Sequence, residues 1–546
     1  MKKKLLAWLR PGMQGIAIAA VLCIGGCGGS DAPVNDNAVA ESTSGAEAQG
    51  TADDATTNAS TNVHALAVTT SVNGITLQGF PVDHQLFPRT NIGDTTAKFS
   101  FTAKSTSATV TSLTLTKTVN GGASLQSVAI KKGQTITMVV TLPVALAASE
   151  FSLAANAAGG STVLAQASDV VAGDVYVVQG QSNAKSTVYP QENAGADADA
   201  ASPWIRTVGN MSDSTVLSSA DLAWHVARGG GDGDIDSSDV TSSTSSGDST
   251  GTIGKWPQRM ARDLVDQMQV PIAIFNGAQG GERVNYFLST YVQPKDSSNN
   301  YKRLMSRLNA YDLTGSVRAV FYYQGEADTA NNVDPTPWTA KFKILLKSWT
   351  KSFASLSHVY VTQIRGCSSN HPGTDSVREQ QRRMAGTPKV QVMSTTAMGG
   401  FDGGCHFHYS GYQQLGHWYA NLLTHDLYAG GGSNITAPAP TQIRLSSDGR
   451  QLLITLANHD DPISADLTSN LDFFVATSAG GIYQPTDIAA APGLITLTLP
   501  INLVGAMQST TKLSVSYRGQ SSSGRPWITN EAGIGLLAFE GIAVTR

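Results

Sequence analysis

The sequence predicts an α/β domain built on a parallel sheet, with an all-β module on either side of it. Three observations lead there. Between about residues 171 and 435, continuous apolar runs of four or five residues alternate with stretches of helical periodicity, the pattern of βαβ units. From about 65 to 170, short runs alternate apolar and polar residues and are separated by Gly-rich turns, as in a sandwich. After Pro438 and Pro440 such runs return and continue to residue 546.

The bulk properties agree with several domains. A chain of 546 residues is too long for one core. Charged residues make up only 14%, and the formal net charge is −4. There is no basic patch for nucleic acid and no acidic tail, so no nucleic-acid partner is expected.

The first 27 residues read as an export signal. Lys2, Lys3, Lys4 and Arg10 form a positive start, and the apolar stretch Met13 to Gly26 is short for a bilayer span. It ends in Ile24-Gly25-Gly26-Cys27, which resembles a bacterial lipobox. Cys27 would then be the first mature residue and would carry a diacylglycerol. Cys23 fits less well because bulky Leu22 precedes it. Gly28, rather than Asp, follows Cys27, which in the Gram-negative sorting pattern favours the outer membrane. The expectation is an exported protein, lipid-anchored at an outer membrane or cell surface. The alternative is an ordinary secretory signal. Residues 28–64 are small and polar, and read as a flexible tether. Besides the Cys27 expected to be lipidated, two cysteines remain after processing, Cys367 and Cys405, and an oxidising compartment favours a disulfide over two buried thiols.

In the module of residues 65–170 the runs include Ala97 to Phe101 and Leu113 to Thr116, with a turn at Asn120-Gly121-Gly122. In the α/β domain, residues 171–435, the predicted buried strands are Val175 to Val178, Ile272 to Phe275, Ala319 to Tyr323 and Val359 to Thr362. Helices are predicted at Pro257 to Met268, Tyr301 to Ala310 and Trp338 to Leu356. A last helix is expected from Ser410, where Ser410 and Gln413 have capping-box spacing. In the final module, residues 436–546, the strand runs include Leu452 to Leu456, Phe473 to Ala476 and Ile495 to Leu499.

Four loops carry candidate chemistry, and three of them directly follow a predicted strand, where open α/β sheets place reactive groups. Gly180-Gln181-Ser182-Asn183 offers a hydroxyl and a backbone N–H. Gln279-Gly280-Gly281 offers backbone N–H groups that can approach a bound oxygen closely. Tyr323-Gln324-Gly325-Glu326-Ala327-Asp328 offers an amide donor in Gln324 and a bracing carboxylate in Glu326. The fourth, Asp402-Gly403-Gly404-Cys405-His406-Phe407-His408, precedes the last helix and offers a base with a nearby acid. Taken singly, each also reads as an ordinary turn, helix cap or solvated loop.

Together these loops resemble the SGNH hydrolase superfamily, and more narrowly the sialate O-acetylesterase and acetylxylan-esterase group, carbohydrate esterase family six and its relatives. Gly180-Gln181-Ser182-Asn183 matches the family's first block outright, with Gly173-Asp174-Val175-Tyr176 as the lead-in. Gln279-Gly280-Gly281 resembles the second block, Tyr323 to Asp328 the third, and His406-Phe407 with Gly411-Tyr412 the last. The tail is similar to the β module that follows such domains, at Leu471 to Val475 and Asn530-Glu531. The resemblance implies a three-layer α/β/α parallel sheet flanked by β-sandwich-like modules. It implies a serine esterase that removes O-acetyl groups from a carbohydrate such as sialic acid or xylan, with no metal or other cofactor. Ser182 would be the nucleophile and His406 the base. The Ser182 N–H, the Gly280 N–H and the Gln324 side chain would form the oxyanion hole, supported by Gln181, Asn183 and Glu326. Asp402 would orient His406, although it lies four residues upstream where the family block has three. A backbone carbonyl is the alternative orienter, and His408 the alternative base.

Rival readings are weighed against this. The pattern Asp232-Gly233-Asp234-Ile235-Asp236 with Asp239 suggests calcium, but Ser243 stands where an EF-hand needs its last Glu. A lipase of the α/β-hydrolase kind would carry a G-x-S-x-G elbow, and none surrounds Ser182. A surface glycan-binding or adhesion lipoprotein with a degenerate hydrolase fold is the non-enzymatic alternative.

Overall fold

The computed structural model describes residues 70–186, 202–209, 222–229, 251–291, 299–367, 371–401, 404–505, 511–519 and 527–546. Cys27, the tether, Asp402 and the Asp232 to Asp239 pattern lie outside them. Among the described residues no helix is long and apolar enough to cross a membrane.

The N-terminal part is all β: β1 (Thr70–Val72), β2 (Ile75–Gln78), β3 (Leu86–Pro88), β4 (Thr96–Ser105), β5 (Val110–Val119), β6 (Gly122–Ala129), β7 (Thr135–Pro143) and β8 (Ser149–Ala157). Strand β4 alternates buried and exposed residues, which packs Ala97, Phe99, Phe101 and Ala103 into one core with Leu113, Leu115, Met138 and Val140. The β5–β6 hairpin turns on Asn120 and Gly121, with φ of 47° and 79°. Positive φ at both central residues is the turn geometry that follows strand twist, and Asn-Gly adopts it at least cost.

The next strand, β9 (Gly160–Gly180), is twenty-one residues long and joins two parts of the molecule. Its first half pairs antiparallel with β8, Leu86 to Pro88 pair with Val171 to Gly173, and its last residues enter the parallel sheet. The boundary read between residues 170 and 171 therefore falls inside one continuous strand. Composition changes there while the backbone ladder does not.

The sheet of the α/β domain adds β10 (Ile205–Val208), β11 (Trp224–Val226), β12 (Ile272–Asn276), β13 (Val317–Tyr323), β14 (His358–Thr362) and β15 (Val390–Met393). Its order is β11-β10-β12-β9-β13-β14-β15, parallel except for β11. Buried apolar runs made β9, β12, β13 and β14 legible. Strand β10 was not, because its Arg206 and Thr207 are polar; both are buried, and Arg206 pairs with Asp169 at 2.9 Å. Strand β15 is only four residues long at the opposite edge.

Among the described residues six α-helices accompany the sheet: α1 (Ser182–Lys185), α2 (Lys255–Met268), α3 (Asn300–Asn309), α4 (Trp338–Ser352), α5 (Thr374–Arg383) and α6 (Tyr409–Tyr428). Helix α2 packs on α6, where Gly416 lies against the Trp256 backbone; a Cβ on Gly416 would sit 2.6 Å from its carbonyl oxygen. Helix α6 corrects the expected capping box. His408 is its N-cap, without a side-chain cap bond, and Ser410 already lies within the first turn.

Among the described residues ten strands follow, from β16 (Pro440–Leu445) to β25 (Phe539–Thr545), with eight in one sheet over a separate apolar core. This C-terminal part is anchored to the α/β domain by its own tail. Ile534 and Leu537 belong to the core of the α/β domain. The Gln363 side chain bonds both the N–H and the carbonyl of Ala538, each at 2.9 Å.

Candidate active site

Strand β9 sits at the switch point of the sheet, because the chain leaves it towards β10 and later returns on its other side at β13. The loops after β12, β9 and β13 therefore diverge around one crevice, the position where such sheets bind ligands. Gly180 closes β9 with φ of 141°, and a Cβ there would lie 2.1 Å from the Tyr323 carbonyl oxygen. Only glycine lets β9 and β13 end this close, which brings Gln181 and Ser182 beside Gln324.

Ser182 begins α1, and His406 comes from the loop before α6, 224 residues away. His406 Nε2 lies 2.8 Å from Ser182 Oγ. That distance is within reach for an imidazole taking a hydroxyl proton. For this role Nε2 must be the unprotonated ring nitrogen.

Asn183 ties the loops together. Its amide donates to Glu326 Oε1 at 2.6 Å and to the Cys405 carbonyl at 2.9 Å. Its oxygen accepts from the Tyr412 hydroxyl at 2.9 Å, and its carbonyl from Trp256 Nε1 at 2.9 Å. The residue beside the nucleophile thus holds the residue beside the base. Cys405 is also disulfide-bonded to Cys367, which fixes the same loop to the segment after β14. Neither Trp256 nor Tyr412 carried a polar role in the sequence reading, since both sit at apolar positions of helices.

Gln181 turns its side-chain oxygen to the β13 loop, accepting from the Ala327 N–H at 3.1 Å and the Gly325 N–H at 3.3 Å. Gln324 departs from its expected use. It is fully buried, and its amide nitrogen donates to Asp328 Oδ2 at 2.5 Å and to the Glu282 carbonyl at 3.2 Å. Gln181 Oε1 lies at 3.3 Å as well. An amide has two hydrogens, and both are committed to protein acceptors here. Its oxygen accepts from Trp338 Nε1 and the Tyr322 hydroxyl. In this geometry Gln324 is a brace between loops. Gly280 is different: nothing lies within 4 Å of where its Cβ would be, so a side chain there would meet open space.

Glu326 is 2% exposed, and its Oε2 has no partner among the described residues. Burial pushes its carboxyl up to about 7, outweighing the Asn183 hydrogen bond that pulls the other way. Asp328 is also raised by burial, against the bond from Gln324. The raised Glu326 has a consequence for stability. Between about pH 4.5 and 7 the folded chain holds a proton that the unfolded chain has released, so stability falls as pH rises through that window. At about 1.4 kcal/mol per unit, the fall is on the order of 3 kcal/mol. Glu326→Gln keeps an acceptor for Asn183 and removes the titration. Urea unfolding at pH 5 and 7.5 should show this extra fall in the wild type and lack it in the variant; equal falls in both reject the assignment.

Cys367, His371 and Cys405 have ligand atoms within 4.8 Å of one another, but the sulfurs are joined to each other. His371 Nδ1 faces the Thr329 hydroxyl at 2.8 Å.

A solved structure shares this framework. A carbohydrate acetylesterase from Xanthomonas citri superposes with a TM-score of 0.56 at 15% identity, covering 84% of this chain and 97% of that one. An Arabidopsis thaliana protein gives a TM-score of 0.36 at 19% identity, covering 47% of this chain and 99% of that one. No curated protein matches in sequence. The family model described as carbohydrate esterase, sialic acid-specific acetylesterase, matches residues 172–425. That span contains Ser182, Gly280, Gln324 and His406, and it is on this match that residues 172–425 are a domain of the carbohydrate esterase, sialic acid-specific acetylesterase family.

Proposed function

We propose that this protein is an exported serine esterase of the SGNH kind that removes O-acetyl groups from carbohydrate through an acyl-enzyme on Ser182. The observation that carries the proposal is the 2.8 Å contact between His406 Nε2 and Ser182 Oγ at the switch point of the sheet. The matched family supports the substrate class, acetylated carbohydrate.

The chemistry follows from the groups present. His406 Nε2 takes the hydroxyl proton as Ser182 Oγ bonds to the ester carbonyl carbon. The carbonyl oxygen becomes an oxyanion, met by the N–H groups of Ser182 and Gly280. Losing one such donor costs about 3 to 4 kcal/mol of transition-state stabilisation. Gln324 joins them only by giving up a bond to Asp328 or Glu282. The tetrahedral species collapses, the sugar oxygen leaves and takes the proton from His406, and acetyl-Ser182 remains. Water, deprotonated by His406, then attacks the acetyl carbon and releases acetate. Asp402 is the proposed orienter of His406, with a backbone carbonyl as the alternative.

Measuring acetate released from acetylated xylan, O-acetylated sialic acids and simple acetate esters tests the proposal. Release from at least one glycan faster than from the simple esters supports it. Release from none of them refutes it. The lipobox-like Ile24 to Cys27 supports anchoring through Cys27. Mass spectrometry of the mature N-terminus should find Cys27 first and lipidated; an unmodified start elsewhere rejects the anchor.

A further inference from the structure

The loop that carries His406 is held from outside the α/β domain. Phe401 and Phe407 in that loop form a β-bridge, with ring centroids 5.6 Å apart, and the His408 N–H donates to the Gly400 carbonyl at 2.5 Å. Phe407 is fully buried and is the residue next to His406. Against Phe401 lies Arg365, 3% exposed, its guanidinium carbon 4.2 Å from the ring centroid. The same guanidinium is 5.3 Å from the ring of Trp527 in the C-terminal module. Both distances are within the range over which a planar cation is attracted to an aromatic face.

Arg365 belongs to the short segment that follows β14, and that segment is gripped at both ends. Two residues before it, Gln363 bonds both backbone groups of Ala538. Two residues after it, Cys367 is bonded to Cys405, which precedes His406. Contacts therefore run without a break from the C-terminal module through residues 363–367 to the loop of the base.

We infer that Trp527 of the C-terminal module is a positioning residue for His406, acting through Arg365 and Phe401. The inference rests on the Ser182–His406 reading. Trp527 touches neither reacting group; it fixes the face against which Arg365 and then the loop are stacked. A misplacement of about 1 Å at a catalytic group lowers rates by up to about a hundredfold. The full-length enzyme thus depends on a side chain beyond the family-matched residues 172–425.

The test uses full-length protein and p-nitrophenyl acetate, a substrate too small to need the C-terminal module for binding. Trp527→Ala should lower kcat about tenfold or more and leave KM within about twofold. Trp527→Phe, which keeps an aromatic face, should recover kcat to within about threefold. Arg365→Lys keeps the charge but loses the planar face, and should fall as Trp527→Ala does. The double variant Trp527→Ala, Arg365→Lys should fall no further than the lower single variant, as expected for one shared contact. A folded Trp527→Ala enzyme with wild-type kcat overturns the inference, as does a fall that Trp527→Phe fails to recover. If Trp527→Ala does not fold, Trp527→Phe and Arg365→Lys decide in its place: wild-type kcat in Arg365→Lys overturns the inference. Failure of the underlying reading looks different: hydrolysis by Ser182→Ala would continue.

Discussion

Ser182→Ala is expected to lower esterase turnover by about four to six orders of magnitude while leaving the fold intact. The two effects separate because Ser182 does little for stability. It is half-buried, and among the described residues its hydroxyl makes one side-chain bond, to His406 at 2.8 Å. Removing that bond costs about 1 kcal/mol. On the proposed mechanism, removing the nucleophile ends acyl-enzyme formation and leaves the N–H groups of the crevice only the oxyanion of direct water attack to stabilise. His406→Ala should fall by a comparable amount, and the double variant hardly further, because nucleophile and base act as a unit. p-Nitrophenyl acetate hydrolysis with unfolding midpoints for each variant is the measurement. Near-wild-type hydrolysis by Ser182→Ala would remove Ser182 from the mechanism. Labelling by a serine-directed phosphonate gives an independent reading, since the label should appear on Ser182 and be lost in His406→Ala.

The largest loss of stability is expected at Asp174. Its side chain is wholly buried in β9, just where that strand passes into the parallel sheet. Both carboxylate oxygens are held by Arg89, at 3.0 Å through Nε and 2.5 Å through Nη2. The Tyr428 hydroxyl at the end of α6 adds a third bond at 2.8 Å. Arg318 stands 3.9 Å away and donates to the carbonyls of Arg89 and Thr90. The N-terminal strands, β9, β13 and α6 thus converge on one carboxylate. Asp174→Ala strands the Arg89 guanidinium, 6% exposed, without its counter-charge. Breaking one side of a buried pair in this way costs about 3 to 5 kcal/mol. Asp174→Asn, which keeps part of the bonding, should cost less. Urea denaturation measures both, and a loss below about 1 kcal/mol for Asp174→Ala would show the cluster is not coupled to folding.

Much of this was legible in the residues alone. Unbroken apolar runs at Val175, Ile272, Ala319 and Val359 are strands buried on both faces, read as such because they are short and rich in β-branched and aromatic residues. The motif loops after three of them marked Ser182, Gly280 and Gln324 as candidates, and the stretch before the last helix marked His406, which the structure places 2.8 Å from Ser182. These features are local, so a short window contains them. Strand β10 escaped because its burial is balanced by partners no short window shows: Arg206 is tolerable inside because the Asp169 carboxylate and the Pro203 carbonyl meet it. Asp174 was read as part of a strand lead-in, with no sign of the Arg89 and Tyr428 that close on it.

What residue order determined by itself was the set of chemical groups and the elements that present them. Tertiary structure alone decided which of those groups meet. It put His406 on Ser182 across 224 residues, spent the Gln324 amide on Asp328 and Glu282, and carried Trp527 from the far end of the chain to Arg365. The physical reason is range. Backbone propensity and side-chain periodicity act over a few residues, whereas hydrogen bonds and ring contacts between loops depend on how twisted strands and packed helices bring their ends together in space.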